Sequence, residues 1–113
     1  MDENRRPWGH YEVLHREPGM QIKRIEVKPG LRFSLQKHQH RSERWIVASG
    51  EGVAMVGMKE ISVQKGAYVE IQVGEIHRLQ NTGRSPLVIV EVQFGDCIEE
   101  NDIVRLEDDF GRS

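Results

Sequence analysis

The chain has 113 residues, with 16 Lys and Arg against 18 Asp and Glu for a net charge of −2, which fits one domain around a single core and leaves no room for a separate nucleotide-binding half. Charges that nearly cancel give no basic field for nucleic acid, and no apolar run is long enough to cross a bilayer. The single Cys97 excludes an internal disulfide and Met1 to Arg6 lacks the apolar core of a signal peptide, so a cytoplasmic protein with neither nucleic-acid nor membrane partners is expected.

Met1 to Arg6 is hydrophilic and reads as an arm, anchored by a turn at Pro7-Trp8-Gly9 before His10 to Leu14 pairs as an edge strand. Trp8 is expected to cover one open end of the fold by packing. His10 and His15 fall in the common class of structural or surface histidines. From Gln21 to Lys28 the pattern alternates, with Lys23 on the side of Ile25 and Val27, so this lysine points inward near a mouth. An inward ammonium needs a partner, which makes Lys23 a candidate contact for a phosphate or sugar oxyanion, the other reading being a slipped register that leaves it on the rim.

After the Pro29-Gly30 turn, Gln36, His38, His40 and Glu43 are crowded into one short stretch ahead of Trp45-Ile46-Val47. Amide oxygen, neutral imidazole and carboxylate are ligands for a borderline divalent ion, zinc first, with manganese, iron or cobalt as alternatives. In an extended strand Gln36, His38 and His40 share a face, whereas Glu43 has the opposite parity. A bend around Arg41-Ser42 before a second strand is therefore expected. Gly74 ends a turn and releases a strand with His77, Leu79 and Asn81 on one side, so His77 is the fourth inward group. His40 stays open as a substitute ligand for Gln36 or as a pocket-edge contact that holds substrate.

Arg44 to Ser49 continues as a strand, Gly50-Glu51-Gly52 reads as a hairpin, and Val53 to Val56 pairs with Lys59 to Val63 about Gly57-Met58. Gln64-Lys65-Gly66 turns into a strand over Tyr68 to Val73. After Arg84-Ser85-Pro86, Val88, Val90 and Val92 share one face while the other runs Leu87, Ile89, Glu91, Gln93, from apolar to polar, as if its far end reached a wet cavity. Glu91 is thereby a candidate to line that cavity, with an ordinary surface carboxylate as the other reading. The tail, residues 99–113, is acidic and poor in apolar residues, and by composition it is a solvated arm. Frequent turn glycines and period-two alternation make the fold all-β, built of short antiparallel strands.

Two stretches resemble the paired motifs of the cupin superfamily. Gly30, Gln36-Lys37-His38, Glu43 and Gly50 fall in register with Gly, five residues, His-x-His, four residues, Glu, six residues, Gly, with Gln36 at the first histidine. Gly66, Gly74, His77 and Asn81 match the second motif, with Gln72 in place of its proline. The resemblance implies a double-stranded β-helix, or jelly-roll barrel, over residues 1–113. From Arg6-Pro7-Trp8-Gly9 to Asp102-Ile103-Val104-Arg105 and Gly111-Arg112 the chain further resembles the type II mannose-6-phosphate isomerase domain. In that family this domain forms the carboxyl-terminal part of a longer protein with a guanylyltransferase front half, expected here to stand alone. Departures at Lys37, Arg44 and Asp96 to Glu99 leave room for a shifted substrate.

The resemblance implies metal ligands Gln36, His38, Glu43 and His77, a tail packed back across the barrel, and exchange of mannose 6-phosphate and fructose 6-phosphate through a cis-enediol. Glu91, His40 and Lys23 are the candidates for the base that moves the proton. Arg41, Arg78 and Arg105 are those for the phosphate, with an internal ion pair as the other reading of Arg105. The rivals are a non-catalytic cupin binding a sugar or sugar nucleotide, and an isomerase or epimerase of another sugar. A homodimer paired through strand edges is expected.

Overall fold

The computed structural model describes residues 5–96, 98–99 and 101–112; the residues of the expected arm before Arg5, and Cys97, lie outside them. Among the described residues every regular element is a strand. They are β1 Arg5–Arg6, β2 Gly9–Glu17, β3 Met20–Val27, β4 Leu35–Lys37, β5 Arg41–Ser49 and β6 Glu51–Val56. There follow β7 Lys59–Gln64, β8 Tyr68–Ile71, β9 His77–Asn81, β10 Leu87–Gly95 and β11 Val104–Glu107. Two antiparallel sheets result, one in the order β1-β2-β3-β10-β5-β8 and the other β11-β4-β9-β6-β7. This is the double-stranded β-helix expected of a cupin.

Alternation decides which side chains go inside. Along β3 the buried residues are Gln21, Lys23, Ile25 and Val27, and along β5 they are Arg41, Glu43, Trp45 and Val47. Pairing aligns these strands with β10, so Ile25 and Val47 both lie against Ile89, while Lys23 and Trp45 flank Glu91, and Gln21 and Glu43 flank Gln93. Inward side chains thus change from apolar to polar at Lys23 on β3 and Glu91 on β10, and one pair later, from Trp45 to Glu43, on β5. One end of the barrel is a hydrophobic core of Val27, Val47, Ala54, Leu79, Leu87 and Ile89, and the other is a buried polar chamber. Phe33 closes the apolar end of that chamber, edge-on to Trp45 at 5.8 Å and to Trp8 at 5.6 Å.

Three local expectations are corrected. Gly50 to Gly52 is not a hairpin: β5 and β6 belong to different sheets, and Gly50, at φ 89°, carries the chain from one to the other. A Cβ at Gly50 would stand 2.6 Å from the Pro86 carbonyl oxygen, so both the backbone angle and the space require glycine. The bend in the first motif comes at Gln39–His40, ahead of β5, rather than at Arg41–Ser42. β8, at the edge of its sheet, ends at Ile71, short of the expected Val73.

The tail packs back, as the resemblance implied and composition did not. β11 pairs with β4, with Arg105 opposite Gln36. Arg32 holds Asp109 through two hydrogen bonds of 2.8 and 2.9 Å. Arg78 donates to the Glu107 carboxylate at 2.7 Å and to the Glu107 carbonyl at 3.1 Å. At the amino-terminal end, Arg5 and Arg6 pair with His10 and Gly9 as β1, so these two residues of the expected arm belong to the sheet.

Candidate metal centre

Gln36 and His77 are direct partners across the β4–β9 pairing, which places the second motif's histidine beside the first motif's amide. His38 follows at the end of β4, and Glu43 reaches the same point from β5 in the opposite sheet. One ligand atom each from His38, Glu43 and His77 lie within 4.8 Å of one another, all three residues buried. The imidazole centroids of His38 and His77 are 5.0 Å apart.

Both rings are held in one tautomer. His38 Nδ1 lies 2.6 Å from the carbonyl oxygen of Asp102, and His77 Nδ1 lies 2.9 Å from that of Glu75. A carbonyl only accepts, so each Nδ1 carries the proton and each Nε2 presents its lone pair. His38 Nε2 is 3.2 Å from Glu43 Oε2, and His77 Nε2 is 3.7 Å from Glu43 Oε1. Acceptors converging in this way need a cation among them, which Arg41 supplies to His38 and Glu43 but not to His77, and backbone anchoring through the remote nitrogen is the arrangement that aims metal-ligating histidines. His77 Nε2 is buried and has no hydrogen-bond partner among the described residues, a costly state unless a ligand satisfies it. The donor set fits a divalent ion held by His38, Glu43 and His77, with Gln36 beside them.

Charge states agree with that role. Burial works against ionising Glu43, but its contact with His38 and the nearby His77 and Arg41 hold its carboxyl well below the usual carboxylate range. Burial pushes the His77 imidazole below its ordinary value despite the attraction of Glu43. A carboxylate and a neutral imidazole are the forms that coordinate a metal.

The chamber beside these residues is lined by Gln36, His38, Glu43 and Glu91 and by a set of cations. Glu91 is 4% exposed, and burial first, then the charge of Glu43, pushes its carboxyl up to about 8. The indole N–H of Trp45 is shared between Glu43 Oε1 at 3.1 Å and Glu91 Oε2 at 3.0 Å, and Gln93 donates to the other Glu91 oxygen. Lys23 points inward as expected, its ammonium 4.2 Å from the centre of the Tyr11 ring. Arg6 stacks on the same ring at 4.9 Å and donates to the Tyr11 hydroxyl at 3.2 Å.

Three expectations change. His40 is exposed in the bend and does not line the chamber, because the strand parity that would turn it inward ends at His38. Arg78 is buried but points away from the chamber: next to inward His77 on β9 it must face the opposite side, where it donates to the Phe33 carbonyl at 3.0 Å and grips Glu107. Arg41 is inside the ligand cluster itself, with Nε 3.0 Å from Glu43 Oε2, Nη2 3.2 Å from His38 Nε2 and Nη1 3.1 Å from the Glu99 carbonyl. Arg105 does line the chamber. Burial and then the like charge of Arg112 lower its guanidinium from the ordinary value.

Sequence reasoning passed over Arg6, Tyr11 and Arg112, which also line the chamber. Arg6 and Arg112 were visible only as members of the terminal motifs, since nothing local to them indicates where β1 and the tail fold. Asp102 was missed as well. Its carboxylate accepts the backbone N–H groups of Gln39 and His40, each at 3.0 Å, while its carbonyl holds His38. The departures at Arg44 and Lys37 bear little on the chamber: Arg44 pairs with Glu70 at 3.2 Å, and neither residue lines it.

The sequence profile of the family described as mannose-6-phosphate isomerase C-terminal matches residues 2–108. The xanthan biosynthesis protein XanB of Xanthomonas campestris pv. campestris is 44% identical over 108 residues, 96% of this chain and 23% of XanB. A mannose-1-phosphate guanylyltransferase of Klebsiella pneumoniae is 40% identical over 95% of this chain and 23% of its own length. The chain thus spans about a quarter of the length of these relatives. Among solved structures, the capsular polysaccharide assembling protein CapF of Staphylococcus aureus superposes with a TM-score of 0.81 at 25% identity, over 92% of this chain and 33% of CapF. With profile, relatives and barrel in agreement, the chain belongs to the mannose-6-phosphate isomerase C-terminal family.

Proposed function

We propose that this domain is a metal-dependent sugar-phosphate isomerase that interconverts mannose 6-phosphate and fructose 6-phosphate. The observation that carries the reading is the adjacency, in one chamber, of the His38–Glu43–His77 ligand set and a buried carboxyl, Glu91, pushed up to about 8. A bound divalent ion would polarise the sugar's carbonyl and hydroxyl oxygens as a Lewis acid. His38, Glu43 and His77 would hold it, with Gln36 as a further donor.

Glu91 is the base in this reading. Aldose-ketose exchange moves a proton between the first two carbons through a cis-enediol, and the group that carries it must titrate near the working pH. Glu91 meets that condition, and the N–H groups of Trp45 and Gln93 fix its oxygens. Lys23, inward on the neighbouring strand and opposite Glu91 in the β3–β10 register, is the second proton carrier or an oxyanion contact. His40 has no place in it. The phosphate lies toward Arg105 and Arg6, with Arg112, whose Nε and Nη2 are held by Asp108, adding its positive charge. Trp8 and Phe33 shield the chamber from water. Pairing of two copies along strand edges belongs to the same proposal, and the mass in solution tests it.

The test is a coupled assay for fructose 6-phosphate with mannose 6-phosphate as substrate, with and without a chelator. Turnover lost to chelator and restored by a divalent ion supports the reading. No turnover with zinc, manganese, iron(II) or cobalt overturns it in favour of a binding module.

A further inference from the structure

We infer that Arg41 is an internal competitor for the metal: its guanidinium and a divalent ion use the same lone pairs, so ion binding must turn Arg41 out of the ligand cluster. The inference rests on the metal reading above and adds to it a residue that opposes loading. Arg41 is 6% exposed, and it donates from Nε to Glu43 Oε2 and from Nη2 to His38 Nε2. Those two atoms are 3.2 Å apart and both are acceptors, so the guanidinium is the cation that lets them lie together. Each is also a coordinating atom of the proposed centre.

A carboxylate oxygen has further lone pairs, but a neutral imidazole nitrogen has one. His38 Nε2 therefore accepts from Arg41 or binds an ion, not both. A guanidinium left in contact with a dication would also meet it as a like charge in a poorly solvated chamber. The third bond of Arg41, to the Glu99 carbonyl at 3.1 Å, lies outside the ligand set and marks the side toward which the arginine turns. Arg41 begins β5 at the bend after His40, where a change of rotamer leaves the rest of the strand in place. In the chamber the displaced guanidinium joins Arg105 and Lys23 as a donor to an anion. Metal occupancy and anion binding are then coupled through one side chain.

The experiment measures zinc binding to the purified domain by calorimetry for the wild type, Arg41→Gln and Arg41→Lys. Loss of a competing charged hydrogen-bond donor is expected to tighten zinc about tenfold or more in Arg41→Gln, and less in Arg41→Lys, which keeps the charge but not the fork. A residue that merely supports the ligands would instead weaken zinc when replaced. In case neither variant folds without metal, the wild type carries a second readout. The Arg41 Nε–H, assigned by nitrogen-edited NMR, is expected to be protected from exchange before zinc is added and to lose that protection in step with zinc binding. Weaker zinc binding by a folded Arg41→Gln, or an Nε–H that stays protected while zinc binds, overturns the inference and leaves the metal reading standing. Failure of the wild type and the variants to bind zinc overturns both.

Discussion

His77 Nε2 lies 3.7 Å from Glu43 Oε1, too far and with too little hydrogen on either atom for a hydrogen bond, while His77 Nδ1–H is committed to the Glu75 carbonyl. The two residues come from opposite sheets and are both fully buried. The Glu43 oxygen accepts from the Trp45 indole, but the imidazole lone pair has no donor among the described residues, and the divalent ion proposed above would satisfy it.

Asp102 should tune that sphere without touching it. Its carboxylate caps two N–H groups of the bend and its carbonyl sets the His38 tautomer. Replacing it with Ala frees the tail over His38 and is expected to weaken zinc binding by about 10- to 100-fold, the usual effect of groups that orient metal-bound histidines. Asp102→Asn, which keeps one acceptor oxygen, should fall between. Equal affinity in all three proteins, measured by competition with a chromogenic chelator, would remove Asp102 from the site.

Glu91→Gln keeps the shape of the side chain and an oxygen for the Trp45 N–H but cannot carry a proton. The expected result is a fall in kcat of about 10²- to 10⁴-fold with zinc stoichiometry unchanged. An active Glu91→Gln variant would hand the proton to Lys23.

Arg78 is a stability residue, against its reading from sequence as a phosphate contact. Arg78→Met should leave the KM for the sugar phosphate unchanged and lower unfolding free energy by about 1–3 kcal/mol, because the Phe33 and Glu107 carbonyls lose a charged donor. Urea denaturation reads the stability and steady-state kinetics the KM. A large rise in KM with unchanged stability would restore the sequence reading.

Acid should loosen the tail first. The Arg112 hydrogen bonds pull the Asp108 carboxyl to about 2. A carboxylate with a depressed folded-state value stabilises the protein above its unfolded value, and that contribution is lost as pH falls from about 4 toward 2. In Asp108→Asn, stability between these pH values should fall less steeply than in the wild type. Denaturation midpoints at pH 5 and pH 3 test it, and equal slopes would contradict it.

Much of this was legible in the chain, for reasons visible residue by residue. Gln21 to Val27 alternates without interruption, and Ile89 to Gln93 does so beyond the irregularity at Val88/Ile89, so period two sets which of these side chains face inward, Lys23 and Glu91 included. His38, Glu43 and His77 were found because two spacings independently pointed to one site. The misreadings came where alternation stops or was not carried through. Strand parity points His40 inward, but the chain bends at Gln39, and Arg78 lies beside His77 in sequence, but adjacent strand residues face opposite ways. A glycine between two strands looks the same in sequence whether the chain returns along its own sheet or crosses to the other, which is why Gly50 misled. Arg6 and Arg112 enter the chamber through pairings distant in sequence, which local pattern does not encode.

The central claim is that His38, Glu43 and His77 hold a divalent ion, and metal analysis of the purified domain beside the His38→Ala/His77→Ala double variant tests it most directly. The expected result is close to one ion per wild-type chain and none in the double variant, with the far-ultraviolet spectrum of the barrel retained in both. Stoichiometric metal in a folded double variant, or a wild type that takes up none when offered zinc, manganese, iron(II) or cobalt, would contradict it.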